Sequence, residues 1–309
     1  MERPVEIHAW HEEHKAQFAP PVCNKLMHKG QLSVMFVGGP NTREDFHLED
    51  GSEFFWQIKG RMELPTIQKG KRKLVKIEEG FVFLLPSRVP HSPQRPVSDS
   101  LGLVIERERL PEENDALRFY TDFATCDRKL WERYFHCQDL GKDLVPVINA
   151  WKASEESKTR EPTQDALPAE RAIVENEQIE LPEPFHLMTW VRDHDKELSE
   201  DGALLPLFPG HPDAEFKIQV EGARSPDSPA SSEWLAPPTT TLETILIQLV
   251  GSSLIEVEAP DQSTTKHELT EGAVFVLKAG DRFRSSRAAD ARMMRLYQDP
   301  RGNRLHNSA

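Results

Sequence analysis

Two stretches decide the fold of this chain, 39-GPNTREDFHLEDGSEFFWQIKG-60 and 80-GFVFLLPSRVPHSPQR-95. Each contains a short apolar run, at 53–58 and 81–85, bounded by glycine, proline and charged residues typical of turns. Apolar runs of this length predict buried β-strands. We therefore expect both stretches to belong to one small β-barrel.

Three side chains in these stretches have the chemistry of metal ligands. His47 precedes the first strand, Glu53 begins it, and His91 follows the turn after the second strand. Alternation along a strand puts Glu53 on the same face as Phe55 and Gln57, which gives its carboxylate an inward aim. Two imidazoles and a carboxylate bind one divalent metal and leave positions open for substrate and dioxygen. This donor set favours ferrous iron and oxygen chemistry, and it also admits zinc or manganese.

Two charged residues near these ligands are candidates for substrate binding. Arg95 lies four residues beyond His91 and could hold a carboxylate; the alternative is a surface salt bridge. Glu106 ends the apolar run 102–105, where burial of a charge is costly unless a ligand or cation is present. Its alternative is an ordinary charge on an edge strand.

The spacing of glycines, proline and ligands resembles the cupin family. The matching positions are Gly39, His47, Glu53, Gly60, Gly80, Pro86 and His91. Many cupins have two histidines one residue apart, and Asp45 stands here in place of the first, so we expect Asp45 to support the site rather than bind metal. The resemblance implies a mainly β chain, with a double-stranded β-helix (jelly-roll) barrel.

Further sequence segments resemble the 3-hydroxyanthranilate 3,4-dioxygenase family over most of residues 1–160. The segments that carry this resemblance are 20-PPVCNKLMH-28, 38-GGPNTR-43, 83-FLLP-86, 89-VPHSPQR-95 and 102-GLVIER-107. Bacterial members carry a cysteine-rich metal site near the C-terminus, and this chain has no cysteine after Cys137. The resemblance is therefore to the longer, eukaryotic-type members, which continue into a second, degenerate cupin half.

The resemblance implies an oxidoreductase with one Fe(II) per chain, held by His47, Glu53 and His91. Such an enzyme opens the ring of 3-hydroxyanthranilate with O2 to give 2-amino-3-carboxymuconate semialdehyde, the precursor of quinolinate in the kynurenine pathway of tryptophan catabolism and NAD biosynthesis. The cytosol is the expected location, because the sequence shows neither a signal-like segment nor an apolar run of membrane-spanning length.

The resemblance also implies roles for individual residues. Glu53 would lie beside the bound substrate, Arg95 would hold its carboxylate, and Glu106 would bind its ring substituents and accept the phenolic proton. Arg43 would stabilise charge developing on dioxygen; its alternative is a loop arginine bonded to Asp45 or Glu44. Phe46 stands where most members have tyrosine.

Two other function classes remain open on the sequence. One is a metal-dependent cupin isomerase or decarboxylase that needs no oxygen, and the other is a cupin that only binds a ligand.

The net charge of −13 disfavours nucleic acids and acidic membranes as partners. No apolar run reaches the roughly 18 residues of a membrane span, and the N-terminus lacks a signal-like segment. Cys23, Cys126 and Cys137 have no CxxC spacing, so we expect reduced, packed thiols.

A weak internal repeat predicts a second barrel. Residues 57–60 match 248–251, and residues 79–84 match 271–276. The same offsets place Pro238, Thr244 and Phe283 opposite His47, Glu53 and His91, and none of the three can replace its counterpart at a metal. We expect a catalytic barrel over 1–160, a linker over 161–180 and a degenerate barrel without metal over 181–309, together forming a monomer that resembles a dimer of barrels.

The remaining segments carry expectations about local structure. Large apolar residues in 116–120 and 129–135 occur at helical spacings, which predicts short helices covering the first barrel. Residues 152–184 are expected to be a connector, and 184–196 a leading segment followed by a short helix. Residues 221–241 are predicted to be a long exposed loop. The histidines His8, His11 and His14 lack an HExxH pattern, so a solvated helix face is expected.

Overall fold

Strands dominate the computed structural model, which describes residues 3–18 and 23–304. Residues 20–22, the start of the segment 20–28 that resembles the family, lie outside these ranges. The strands are β1 (Val5–Glu6), β2 (Asn24–Lys29), β3 (Leu32–Gly38), β4 (Phe46–Leu48), β5 (Glu53–Lys59), β6 (Met62–Gln68), β7 (Lys71–Ile77), β8 (Phe81–Leu85), β9 (Leu101–Arg107), β10 (Asp115–Tyr120), β11 (Lys129–Phe135), β12 (Phe185–His186), β13 (Leu204–Pro206), β14 (Phe216–Glu221), β15 (Thr244–Val250), β16 (Ser252–Glu258), β17 (Thr264–Thr270), β18 (Ala273–Leu277), β19 (Arg282–Arg287) and β20 (Arg292–Gln298). The mainly β class is as predicted.

The helices are few and short. They are α1 (Ile7–His14), α2 (Val145–Ala153), α3 (Glu155–Thr159), α4 (Leu187–Asp193), α5 (Asp195–Leu198) and α6 (Arg301–Arg304). Short 3-10 turns occupy Lys15–Phe18 and Pro229–Ser232, and a π-helical turn occupies Leu140–Leu144. Among these described residues, every helix is too short or too polar to cross a bilayer.

The chain forms two compact units. Unit A comprises residues 23–24 and 36–185, and unit B comprises residues 3–18, 25–35 and 186–304. β3 passes from unit B into unit A along its length. The domain boundaries predicted at residues 160 and 181 stay predictions.

Unit A is built from antiparallel sheets around one buried strand. β5 lies between β8 and β9, with β3 beside β9 and β12 beside β8; β11, β10 and β4 form a second sheet, and β6 pairs with β7. Glu53 pairs with Leu85, and Phe54 pairs with both Leu84 and Ile105. The apolar runs are buried on both faces, as expected for strands within a closed scaffold.

Unit B repeats this plan with the second half of the sequence. Its larger sheet has the order β1, β18, β15, β20, β14, β13, and its smaller sheet has the order β17, β16, β19. The N-terminal β1 therefore completes a sheet whose other strands come after residue 203, with Val5 paired to Val274. The core between the sheets is made by Leu246, Ile255, Val257, Leu269, Ala273, Phe275, Leu277, Phe283 and Met293.

The internal repeat is visible in matched local geometry. Gly60 and Gly251 follow β5 and β15 with φ of 68° and 66°, a conformation that favours glycine. Gln57 Nε2 donates to Lys59 O at 2.7 Å, and Gln248 Nε2 donates to Val250 O at 2.8 Å. Each strand also shifts its ladder register at this point. The two units therefore share a strand-and-turn template.

The helices predicted at 116–120 and 129–135 are wrong, because these segments are strands β10 and β11. Every residue of β10 is buried, so the apolar spacing reflects two buried strand faces rather than one helical stripe. Aromatic residues in short runs also favour strands. The helix that covers this sheet is α2, whose Trp151 ring stacks on Phe119 at a centroid distance of 3.8 Å.

The other local expectations have mixed outcomes. The short helix predicted through residue 196 is confirmed by α4 and α5, although α4 already begins at Leu187, inside the predicted leading segment. The three cysteines are free and buried as predicted. The exposed loop over 221–241 is wrong in part, because 221–224 are buried and Leu235 packs on the unit B core. The histidines of α1 share a helix, but His14 stacks on Trp10 and His11 lies against Phe18, so only His8 is fully exposed.

Candidate metal centre

Three segments of unit A place the predicted ligands. His47 is the middle residue of β4, Glu53 is the first residue of β5, and His91 lies in the segment 90–95, which forms isolated bridges rather than a regular strand. Pro90 and Pro93 remove backbone donors from that segment, and Pro96 follows it directly, which explains the broken ladder. His47 N donates to His91 O at 2.8 Å and His91 N donates to His47 O at 2.9 Å. This paired bridge holds the two histidines side by side.

The predicted ligands converge. His47, Glu53 and His91 each offer a ligand atom within 4.8 Å of the other two. His91 Nε2 lies 2.8 Å from Glu53 Oε1, while His91 Nδ1 faces Val89 O at 2.9 Å. The backbone contact fixes the ring and leaves Nε2 as its inward nitrogen, as is usual for a metal-binding histidine. Two imidazoles and one carboxylate in this arrangement could hold a divalent metal.

The electrostatics of the pair agree with a cation site. Burial alone would raise the pKa of Glu53, but the neighbouring His91 holds the pKa of this carboxyl below its usual range. Burial would lower the pKa of His91, and Glu53 raises it instead. Glu53 therefore favours positive charge next to it. A divalent cation in place of the His91 proton would satisfy the same preference.

Arg95 is buried beside this group with donor capacity to spare. Its exposed fraction is 3%, and its Nε has no hydrogen-bond partner among the described residues. Burial and the nearby Arg43 lower the pKa of Arg95 to about 10, while Glu53 opposes that shift. A buried guanidinium with an open donor is costly by itself, and it suits an anionic ligand.

Arg43 is held at the same site by its own neighbours. Its Nη2 contacts a carboxylate oxygen of Asp45, which is one of the alternatives expected from the sequence. Its backbone N donates to Gln94 Oε1 at 2.9 Å, and Gln94 Nε2 donates back to Arg43 O at 2.8 Å. Asp45 thus pairs with Arg43 and belongs to none of the candidate metal groups in the described residues.

Glu106 has a cation partner that the sequence left unidentified. Arg109 Nη1 donates to Glu106 Oε2 at 3.0 Å. Burial, followed by the charges of Glu53 and Asp115, raises the pKa of Glu106 well above its usual range. Its carboxylate oxygens lie within 4.8 Å of those of Glu49 and Glu53. Glu106 therefore borders the candidate metal group.

Sequence reasoning missed three charged residues at the site: Glu49, Arg109 and Asp115. Asp115 Oδ2 lies 2.8 Å from His47 Nε2, and Arg109 contacts both Asp115 and Glu49. Asp115 begins β10 directly after the polar residues 112–114 and is fully buried, so little in the local sequence indicates that this carboxylate reaches the site. Assigning 116–120 to a helix also concealed the strand that Asp115 begins.

Unit B lacks the ligands at the equivalent positions. Isolated bridges join Asn41 to Arg95 and His47 to His91 in unit A, and in unit B they join Arg224 to Arg287 and Leu235 to Phe283. Leu235, not Pro238, therefore corresponds to His47, because the loop before β15 is longer than the sequence offset assumed. Phe283 matches His91 as predicted. Every candidate metal group found among the described residues lies in unit A.

Known proteins match this chain along most of its length. A family profile described as 3-hydroxyanthranilic acid dioxygenase matches residues 1–152. A protein from Bos taurus named 3-hydroxyanthranilate 3,4-dioxygenase is 39% identical over 300 residues, covering 97% of this chain and 98% of that protein. The same name belongs to relatives from Nematostella vectensis, 42% identical with 90% and 93% coverage, and Homo sapiens, 38% identical with 97% and 98% coverage.

Solved structures show a more distant likeness. A cupin 2 conserved barrel domain protein from Leptotrichia buccalis is 10% identical, covers 96% of each chain and has a TM-score of 0.47. Oxalate decarboxylase from Bacillus subtilis is 14% identical, covers 87% of this chain and 68% of that chain, and has a TM-score of 0.45.

Proposed function

This chain belongs to the 3-hydroxyanthranilate 3,4-dioxygenase family, and on that basis we propose that it is a ring-cleaving dioxygenase acting on 3-hydroxyanthranilate. The single observation that carries the proposal is the convergence of His47, Glu53 and His91 beside a buried arginine with an open donor. Both atoms of O2 would enter the product, 2-amino-3-carboxymuconate semialdehyde. That product closes without an enzyme to quinolinate, which would place the protein in the kynurenine pathway and NAD biosynthesis.

The proposed cofactor is one Fe(II) per chain. His47, Glu53 and His91 would hold it, and the donor set of two imidazoles and one carboxylate suits ferrous iron. When bound, ferrous iron supplies the means to activate O2 and to chelate the hydroxyl and amino groups of the substrate.

The residues of the chain would bind and orient the substrate. Arg95 would take the carboxylate with a guanidinium whose Nε has no partner among the described residues, which removes the cost of leaving that buried donor unpaired. This contact fixes the ring relative to Glu53 and Glu106, so that the reacting carbons lie at the candidate metal group. Glu53 has a second part in this scheme, because it borders the substrate as well as the metal.

Glu106 would move the phenolic proton. Its raised pKa makes the ionised carboxyl a stronger base than an ordinary glutamate, which matches it to a phenolic hydroxyl. Arg43 would stabilise negative charge that develops on oxygen, and its contact with Asp45 would hold it ready for that role.

A direct assay tests the proposal. Iron-reconstituted protein should consume O2 when given 3-hydroxyanthranilate, and the near-ultraviolet absorbance of the semialdehyde should rise in step. His91→Ala should lose both metal and turnover. If iron is shown to be bound but neither O2 consumption nor a rise in near-ultraviolet absorbance is observed, the dioxygenase assignment is contradicted.

The same assay separates the other two function classes. A metal-dependent isomerase or decarboxylase would act anaerobically with Zn(II) or Mn(II), and a ligand-binding cupin would consume no aromatic substrate. The proposed cytosolic location and monomeric state need separate measurements, by cell fractionation and by light scattering.

A further inference from the structure

Arg109 lies at the centre of a group of buried carboxylates next to the candidate metal ligands. Its Nε and Nη2 donate to Asp115 Oδ1 and Oδ2, each at 2.9 Å, and its Nη1 donates to Glu106 Oε2 at 3.0 Å. Nη2 also contacts a carboxylate oxygen of Glu49. The exposed fractions of the Arg109, Glu49 and Asp115 side chains are 5%, 2% and 0%. One guanidinium thus contacts three carboxylates, of which Glu49 and Asp115 are buried and Glu106 is 13% exposed.

Two of these carboxylates act directly on groups of the proposed site. Asp115 Oδ2 faces His47 Nε2 at 2.8 Å, a contact that orients the imidazole ring of this candidate ligand. Glu106 is the proposed proton acceptor. Arg109 therefore links a metal ligand to the base, although among the described residues it contacts none of His47, Glu53 and His91.

The charge of Arg109 explains why these acids can be crowded together. Glu49 and Asp115 group with His47, and Glu49 groups with Glu53 and Glu106, so each triplet has the composition of a cation site. The guanidinium already lies among Glu49, Asp115 and Glu106. It supplies the cation that these acids need, which leaves His47, Glu53 and His91 as the group for a metal.

We propose that Arg109 is a positioning residue of the metal centre: its fork holds Asp115 against His47 and holds Glu106 in place for the substrate. Only the part of the inference that concerns Glu106 rests on the proposed function. The part that concerns His47 is a statement about metal affinity, and it can be tested without turnover.

The central test is Co(II) binding to the metal-stripped protein, followed by visible absorption. Arg109→Gln and Asp115→Asn should each weaken Co(II) binding about 10- to 100-fold and change the absorption band, as loss of an orienting partner does. The double variant should lose no more than the weaker-binding single variant, because both changes break one linkage. Arg109→Lys, which keeps the charge but not the fork, should fall between Arg109→Gln and the unsubstituted protein.

A matched control separates positioning from general destabilisation. Arg118 is a buried arginine on β10 whose Nε donates to Glu132 Oε1 at 2.8 Å and whose Nη1 donates to Glu175 Oε2 at 2.6 Å. Arg118→Gln should lower the melting temperature while leaving the Co(II) dissociation constant within about 2-fold of the starting value. Equal loss of Co(II) binding in Arg118→Gln would overturn the positioning role.

Two further outcomes decide the proposal. Unchanged Co(II) affinity and band shape in Arg109→Gln and Asp115→Asn, or losses that multiply in the double variant, would overturn it. If Arg109→Gln fails to fold, Arg109→Lys decides the question, because it keeps the charge and removes the fork; Co(II) affinity equal to that of the unsubstituted protein would then overturn the proposal.

Turnover then tests the link to Glu106. With saturating Fe(II), Arg109→Gln should lower kcat at least about 10-fold and leave KM within about 3-fold, because its loss displaces the base rather than the carboxylate clamp. A rise in KM with unchanged kcat would contradict this link. If the unsubstituted protein does not turn over 3-hydroxyanthranilate, the proposed function fails, while Co(II) binding still decides the role of Arg109.

Discussion

At the scale of single residues, the site is defined by charges that the protein buries and does not fully neutralise. Arg95 is almost completely buried, and its Nε has no hydrogen-bond partner among the described residues. Arg109, in contrast, directs its donors to three carboxylates. An anionic ligand would stabilise the buried charge of Arg95, whereas carboxylates of the protein already stabilise the buried charge of Arg109. The two arginines therefore predict different losses on substitution.

Replacing Arg95 by alanine should weaken substrate capture while the metal stays bound. Loss of a charge-assisted contact costs about 1.5–3 kcal/mol, so KM should rise roughly 10- to 150-fold. Steady-state kinetics combined with metal analysis checks this, and Arg95→Lys should recover part of the loss. If Arg95→Ala emptied the metal site instead, the role given to Arg95 would be wrong.

Asp50 predicts a pH-dependent gain in stability on substitution. Burial, with the nearby Glu113, raises its pKa to about 6. Because the folded pKa lies above the unfolded value, the contribution of Asp50 to stability is complete at low pH and is lost as pH rises through about 6. Asp50→Asn should therefore stabilise the metal-stripped protein at pH 7.5 by roughly 1–2 kcal/mol, allowing for partial exposure.

Urea unfolding at several pH values measures the effect of Asp50→Asn. The difference between the variant and the unsubstituted protein should be nearly constant above about pH 7 and should shrink as pH falls through about 6 to about 4.5. A difference that stays constant over this range would show that the charge of Asp50 is not its cause.

At the scale of elements, the edges and ends of strands carry the chemistry. The sequence predicted β5 and β8 from their apolar runs, and it predicted the ligands from residues next to them. It failed at β10, where Asp115 begins and Arg118 interrupts a run that is buried on both faces. Local spacing cannot distinguish such a strand from a helix, because the partners of these charges lie elsewhere in the chain.

Gly102 on β9 gives Arg95 its place. A Cβ at Gly102 would lie 2.8 Å from Gln57 Oε1 and 2.9 Å from Arg95 Nη2. Gly102→Ala should push the flexible guanidinium aside, raising KM by roughly 3- to 30-fold with little change in metal content. Steady-state kinetics measures this. In an Arg95→Ala background the same change should add almost nothing to KM; an equal rise there would contradict the mechanism.

At the scale of the whole molecule, one template supports two different interiors. The sequence repeat predicted the shared strands and turns, and it identified Phe283 opposite His91. It misplaced the counterpart of His47, because the repeat has no fixed spacing in the loop before β15. The bridge between Leu235 and Phe283 fills with apolar groups the place where unit A has two imidazoles.

This difference predicts that metal protects only one of the two units. Fe(II) added anaerobically at about 100 times its dissociation constant should stabilise the binding unit by about 2.7 kcal/mol. Hydrogen exchange should slow up to about 100-fold in peptides covering β4, β5 and 90–95, and it should stay unchanged in β15 to β20. The bound metal should reach one equivalent per chain. Equal slowing in both units would contradict independent stabilisation.

The pairing of β1 with β18 bears on how the protein is made. Val5 lies against Val274, and Ile7 N donates to Gly272 O at 3.0 Å. On a ribosome adding about 5–20 residues per second, the beginning of the chain waits on the order of ten to fifty seconds for these partners. Until then β18 does not exist, so β1 emerges as an unpaired strand that nascent-chain chaperones can bind. Unit B can therefore finish folding only after β18, at residues 273–277, has been synthesised, whereas the residues of unit A have all been made by residue 185.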